Sequence, residues 1–194
     1  MIDTTRCLRL LQDWAVHAER YWYSMPDDAQ LGCYGTGYNN WGVQTNQKYL
    51  GAMAALSALG ESNAVPKPLC IKARERALAA LRFSIRSHIS GDYQCTDGTK
   101  WGHTWISSLG IERMMYGVYL LEPYLTEEDR AGLQRMLTSE ADWVLYHHRR
   151  GTYQGVPAGK WNDSGQNAPE SNLWNGAVLW RTAMMYPDHP HAPA

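Results

Sequence analysis

Three long polar loops built from the same few residue types divide this chain, and their recurrence limits what it can fold into. They occupy residues 32–42 (GCYGTGYNNWG), 91–102 (GDYQCTDGTKWG) and 153–165, returning about every 60 residues. Each carries glycine, tyrosine and tryptophan, and each leads into a segment whose apolar residues follow the helical period. No strand-like alternation competes anywhere. The pattern reads as an all-α chain of stacked αα-hairpins, one domain over residues 1–194, with the long loops gathered at one end.

Residues 4–22 place Leu8, Leu11, Ala15, Ala18 and Trp22 on one helical face, with Arg6, Asp13, Glu19 and Arg20 opposite. A second helix, 43–60, is rich in small residues such as Ala54, Ala55 and Ala58, which permit close approach of a neighbour. Pro66 and Pro68 open a third that runs to about His88, and a fourth covers 106–124. Thr126 and Asp129 have capping-box spacing and start a fifth, which ends on His147, His148, Arg149 and Arg150, cations suited to the helix dipole. Asn167 and Glu170 repeat that spacing before a sixth. There Leu173, Ala177, Trp180 and Met184 recur at helical spacing beside Trp174, Val178 and Met185, which predicts packing on more than one side. Glu170, Asn172 and Asn175 interrupt its first two turns and need protein, water or ligand to satisfy them.

Charge excludes some functions. A formal net charge of −1 and a pI near 6.6 give no electrostatic reason to expect nucleic acid or a membrane surface. Nine Trp and twelve Tyr stand against one Phe, an excess of flat apolar rings with polar edges, which suits stacking against sugars. Gly35, Thr36 and Gly37 do not complete a phosphate loop. The cysteines lack metal-site spacing, so no cofactor and no metal is expected. Cys33 and Cys95 fall in loops and could bridge, while Cys7 and Cys70 read as small core residues.

A cleft built from the three loops collects Asn39, Asn40, Trp41, Trp101, His103, Trp161, Asn162, Glu170 and Asn172, with Trp174 and Asn175 on the following helix. Amides and flat aromatics to grip a sugar, one histidine and several carboxylates form a coherent carbohydrate set. The segments Glu170-Ser171-Asn172-Leu173, Asp97-Gly98-Thr99 with His103-Thr104, and Tyr38-Asn39-Asn40-Trp41-Gly42 resemble the heparinase II/III-like and related polysaccharide lyases. The resemblance implies an (α/α) toroid, usually followed by a β-sandwich region. It also implies a periplasmic or secreted location, although no signal-peptide segment is read. The implied reaction is β-elimination on a uronate-containing polysaccharide or oligosaccharide. Asn172 would neutralise the uronate carboxylate, His103 would take the C5 proton, and Tyr38 or Tyr34 would protonate the leaving oxygen. Such lyases often place a histidine directly after that asparagine; here Leu173 follows. About six helices, where a closed toroid needs roughly twice as many, lead us to expect an incomplete toroid, the N-terminal portion of something longer. Two other readings share the scaffold. One is a glycoside hydrolase using Asp97 with Glu170 or Glu112 as acid and base; the other is a non-catalytic module that binds glycan or protein.

Overall fold

In the computed structural model, which describes residues 3–62, 64–149, 152–153, 156–157 and 169–193, the chain is mostly helical. Six helices run among those residues: α1 (Thr4–Ala18), α2 (Trp41–Ala58), α3 (Lys67–Ser87), α4 (Ser107–Leu121), α5 (Glu127–Arg149) and α6 (Pro169–Met185). No toroid is formed among them, and none of them is long and apolar enough to cross a membrane.

Helix α2 lies between α3 and α4, and small residues let the backbones close in. A Cβ added at Gly117 of α4 would stand 2.9 Å from the Gly51 Cα of α2 and 2.6 Å from a Leu50 methyl. Close approach of this alanine-rich helix was legible from composition. Less legible was its buried polar side: Gln44, Asn46 and Gln47 are enclosed along with Leu50, Met53 and Ala54. Asn46 joins three elements. Its side-chain oxygen accepts from Tyr34 N–H at 2.9 Å, and its amide donates to the Ala80 carbonyl and Ser84 Oγ at 3.0 and 3.2 Å.

Two short antiparallel strands, β1 (Trp22–Ser24) and β2 (Gly32–Tyr34), correct the purely helical expectation. Strands of three residues are too short to display alternation. Trp22, expected at the end of the first helix, instead pairs with Tyr34 in this ribbon, and its ring packs 5.6 Å from that of Tyr49. Tyr34 and Tyr49 stack at 4.6 Å, with Trp14 against both. Much of the aromatic excess near the N-terminus is therefore core. A second small ribbon pairs β3 (Thr152–Tyr153) with β4 (Val156–Pro157).

Helix α5 starts as its spacing predicts: Thr126 N–H donates to Asp129 Oδ2, and Asp129 N–H to Thr126 Oγ1, at 3.0 and 3.1 Å. Asp129 also accepts from Nε and Nη2 of Arg82, tying α5 to α3. The second capping box, at Asn167, lies outside the described residues. On α6 the covered stripe is Asn175, Val178 and Thr182, whereas Leu173, Trp180 and Met184 are exposed. The expected wrapping on several sides is absent because, among the described residues, only α4 and α5 lie along it. Its orientation is held by Arg181, which pairs with Glu112 at 2.8 and 3.0 Å. All four thiols are free; Cys33, Cys70 and Cys95 are buried, and Cys7, expected in the core, is exposed on α1.

Substitutions at Gly117, Gly176 and Asp129 test the packing and the charge. Gly117→Ala sets about 1–3 kcal/mol of overpacking against a helix-propensity gain of about 1 kcal/mol. The contact with Gly51 backbone decides the sign, so the urea midpoint falls. Gly176→Ala in α6, where an added Cβ meets nothing within 4 Å, raises it. Burial pushes the Asp129 pKa up, but hydrogen bonds from Arg82 and Thr126 outweigh it, and the folded value is lowered. A depressed folded pKa means stability that is present above the ordinary carboxylate value and lost as pH falls through the folded one. The stability gap between wild type and Asp129→Asn is accordingly widest above about pH 4 and shrinks on acidification, as paired urea melts would measure.

Candidate functional site

Two of the three polar loops are clasped together. Asn39 N–H donates to Asp97 Oδ2 at 3.0 Å, the Asn39 amide donates to the Lys100 carbonyl at 3.0 Å, and Thr96 N–H donates to the Gly37 carbonyl at 3.2 Å. Thr96 Oγ1 adds a hydrogen bond to the Thr36 carbonyl. Asp97 is the pivot of this clasp, because its other oxygen accepts from Thr99 N–H and Oγ1. Partial burial raises its pKa, but those donors from Thr99 and Asn39 prevail and lower it. A general acid needs the opposite shift, so this carboxylate suits holding loops better than protonating a leaving group.

Above the clasp, Trp41 and Trp105 meet edge to face at 5.9 Å, 57% and 36% exposed. Tyr38, also exposed, sits on the same loop. Trp101 does not join this rim. It is 3% exposed, forms a parallel bridge with His88, and donates its indole N–H to the Ser84 carbonyl at 2.8 Å. Tyr34, the other acid candidate, is committed to the stack on Tyr49.

Below the rim, Asn39, Asn40, Gln44, Gln47, Gly102 and Ser107 help line a cavity of about 10 Å³. Both polar side-chain atoms of Gln44 and the Gln47 Nε2 are buried there without a partner among the described residues. A space of this size holds one water at most and admits no larger ligand.

On the far side of Gly102, three ionisable groups come together. Glu140 and His88 are both fully buried, and His88 Nε2 lies 2.9 Å from Glu140 Oε1. His103 N–H donates to the same oxygen at 2.5 Å. Its ring stacks on Trp143 at 5.7 Å, and its Nε2 faces the Ser139 carbonyl and hydroxyl at 3.2 and 3.0 Å. Asn40 (φ 60°) and His103 (φ 52°) are the non-glycine residues with positive φ among those described, and both lie on this seam. Backbone held in sparsely populated regions concentrates at functional sites.

The structure thus gathers Tyr38, Asn39, Asn40, Trp41, Asp97 and His103 at one seam and buries Trp101 behind it. Trp174, half-buried, and Asn175, buried, lie on α6. Trp161 and Asn162 lie outside the described residues, as do the side chains of Glu170 and Asn172. Glu112 is paired with Arg181. Sequence reasoning missed Gln44, Gln47, His88, Trp105 and Glu140. A signal existed for Glu140, which follows Leu133, Met136 and Leu137 and precedes Val144 on the apolar stripe of α5, where a carboxylate has to find a polar task.

Compared with protein-family models, curated proteins and solved structures, the chain matches none.

Asp97→Ala opens the clasp. Hydrogen bonds to a charged group contribute about 1.5–3 kcal/mol, so amide exchange at Asn39 and Thr99 accelerates about ten- to a hundredfold while α3 amides keep their protection. Unchanged exchange at Asn39 would show that the loops hold together without this carboxylate.

Proposed function

We propose that this protein is carbohydrate-active and grips a glycan across the Trp41–Trp105 rim. The observation that carries this reading is the exposed indole pair standing over two loops clasped by Asp97. The C–H faces of a sugar ring are weakly apolar and its hydroxyls polar. Flat aromatics beside amides serve both, and Asn39 and Asn40 directly precede Trp41 on the first loop.

Elimination on a uronate-containing polysaccharide is the reaction that the resemblance to heparinase II/III-like lyases implies, on a scaffold read as an incomplete (α/α) toroid. What favours a catalytic site over a purely adhesive one is the strained backbone at Asn40 and His103. Tyr38, exposed on the rim, is the better placed of the two tyrosines to protonate a leaving oxygen. His103 is placed less well for removing a proton, since its ring is committed to Trp143 and Ser139.

The test is titration with neutral and uronate oligosaccharides, followed by calorimetry and by the ultraviolet absorbance of unsaturated product ends. Trp41→Ala and Trp105→Ala each weaken binding about tenfold, the cost of losing roughly 1–2 kcal/mol at a hot-spot aromatic. Tyr116→Ala, which removes an exposed ring farther along α4, leaves it unchanged. Wild-type affinity in both tryptophan variants would remove the rim from the site. Unsaturated ends from uronate substrates would establish elimination, whereas new reducing ends alone would point to hydrolysis.

A further inference from the structure

Glu140 is shut off from solvent yet incompletely partnered. It is fully buried, its Oε1 takes the hydrogen bonds from His88 and His103, and its Oε2 has no partner among the described residues. A buried carboxylate oxygen left bare costs several kcal/mol unless a cation or proton reaches it. Metal-binding histidines have their second ring nitrogen anchored by the protein, and both histidines beside Glu140 have an oxygen within reach of that nitrogen. For His88, Nδ1 lies 2.7 Å from Ser90 Oγ; for His103, Nε2 faces the Ser139 carbonyl and hydroxyl, which leaves Nδ1 with its lone pair. One ligand atom from each of His88, His103 and Glu140 lies within 4.8 Å of the others. Gly102 closes the cradle, since a Cβ there would stand 2.5 Å from His88 Nε2 and 2.9 Å from Glu140 Oε1.

We infer that His88, His103 and Glu140 bind a divalent transition metal ion of the Zn²⁺ class. Two imidazole nitrogens and one carboxylate oxygen form a zinc-type donor set, while Mg²⁺ and Ca²⁺ favour all-oxygen shells. Without metal, His88 Nδ1 accepts from Ser90 N–H at 3.1 Å and Nε2–H points at Glu140. On binding, that proton moves to Nδ1 and is donated to Ser90 Oγ, the Ser90 N–H gives up its bond to Nδ1, and Nε2 and Glu140 Oε2 turn to the ion, so that no net proton leaves the histidine. The ion joins the end of α3, the second polar loop and α5. This assignment is independent of the glycan reading.

The experiment is titration of the metal-depleted full chain with Zn²⁺ and Co²⁺, read by calorimetry, thermal melting and the visible spectrum of Co²⁺. Wild type binds one equivalent, its Tm rises with Zn²⁺, and chelator reverses the rise. His103→Asn keeps a residue tolerant of positive φ and removes the ligand, so affinity falls at least tenfold and the Zn²⁺-dependent rise in Tm disappears. Asp142→Ala, which disables the surface group of Asp142, His189 and His191, retains the wild-type response. Loss of binding in Asp142→Ala with full binding in His103→Asn would overturn the assignment, as would a wild type that takes up no Zn²⁺. Should His103→Asn fail to fold, ring-proton shifts in Co²⁺-loaded wild type decide: large shifts at His88 and His103 support the site, and shifts confined to His189 and His191 sink it.

Discussion

A single buried amide holds together the parts on which the candidate site rests. Asn46 of α2 receives the backbone of β2 through Tyr34 N–H and gives its own protons to the Ala80 carbonyl and Ser84 hydroxyl of α3. Each such bond is worth only about 1 kcal/mol net, but a group abandoned in the interior costs about 1–3 kcal/mol. Position 46 therefore admits few alternatives. By fixing β2 on the α2–α3 junction, it determines where the first polar loop departs, and that loop must then meet the second at Asp97. Ser84 extends the same logic, since its carbonyl accepts the indole of Trp101 and seats the second loop against α3.

How much of this was legible depended on periodicity. The helices announced themselves because their apolar residues repeat, and the start of α5 because Thr126 and Asp129 have a spacing with a defined hydrogen-bonding geometry. That the first two loops share a seam was also legible, from their common composition. Which way each loop residue faces was not. A loop has no repeating period from which to infer a side, so Trp41 and Trp101 looked equivalent, and the bridge to His88 with the indole bond to Ser84 is what keeps Trp101 inside. Trp22 was assigned to a helix because it continued an apolar face, but the ribbon pairing with Tyr34 outweighed that local preference.

The same distinction explains the unusual aromatic content. Trp14, Trp22, Tyr34 and Tyr49 pack against one another beneath α1 and the ribbon, with Arg76 over the Trp22 ring at 4.5 Å. These rings fill volume. Trp41 and Trp105 form a second, exposed group with no comparable cover. An excess of indoles and phenols is thus two populations with different tasks, and composition alone averages them into one hint.

The sulfur atoms are divided as sharply as the rings. Burial pushes the Cys33 thiol up to about 12, helped by Cys95, and burial likewise pushes Cys95 up to about 11 and raises Cys70. Each of these three is enclosed and holds little thiolate near neutrality, the form that reacts. Cys7 alone of the four stands in solvent, on α1. The native molecule thus carries a built-in address for a maleimide dye or spin label, set on the helix farthest along the sequence from α6, and attachment there needs no engineered cysteine.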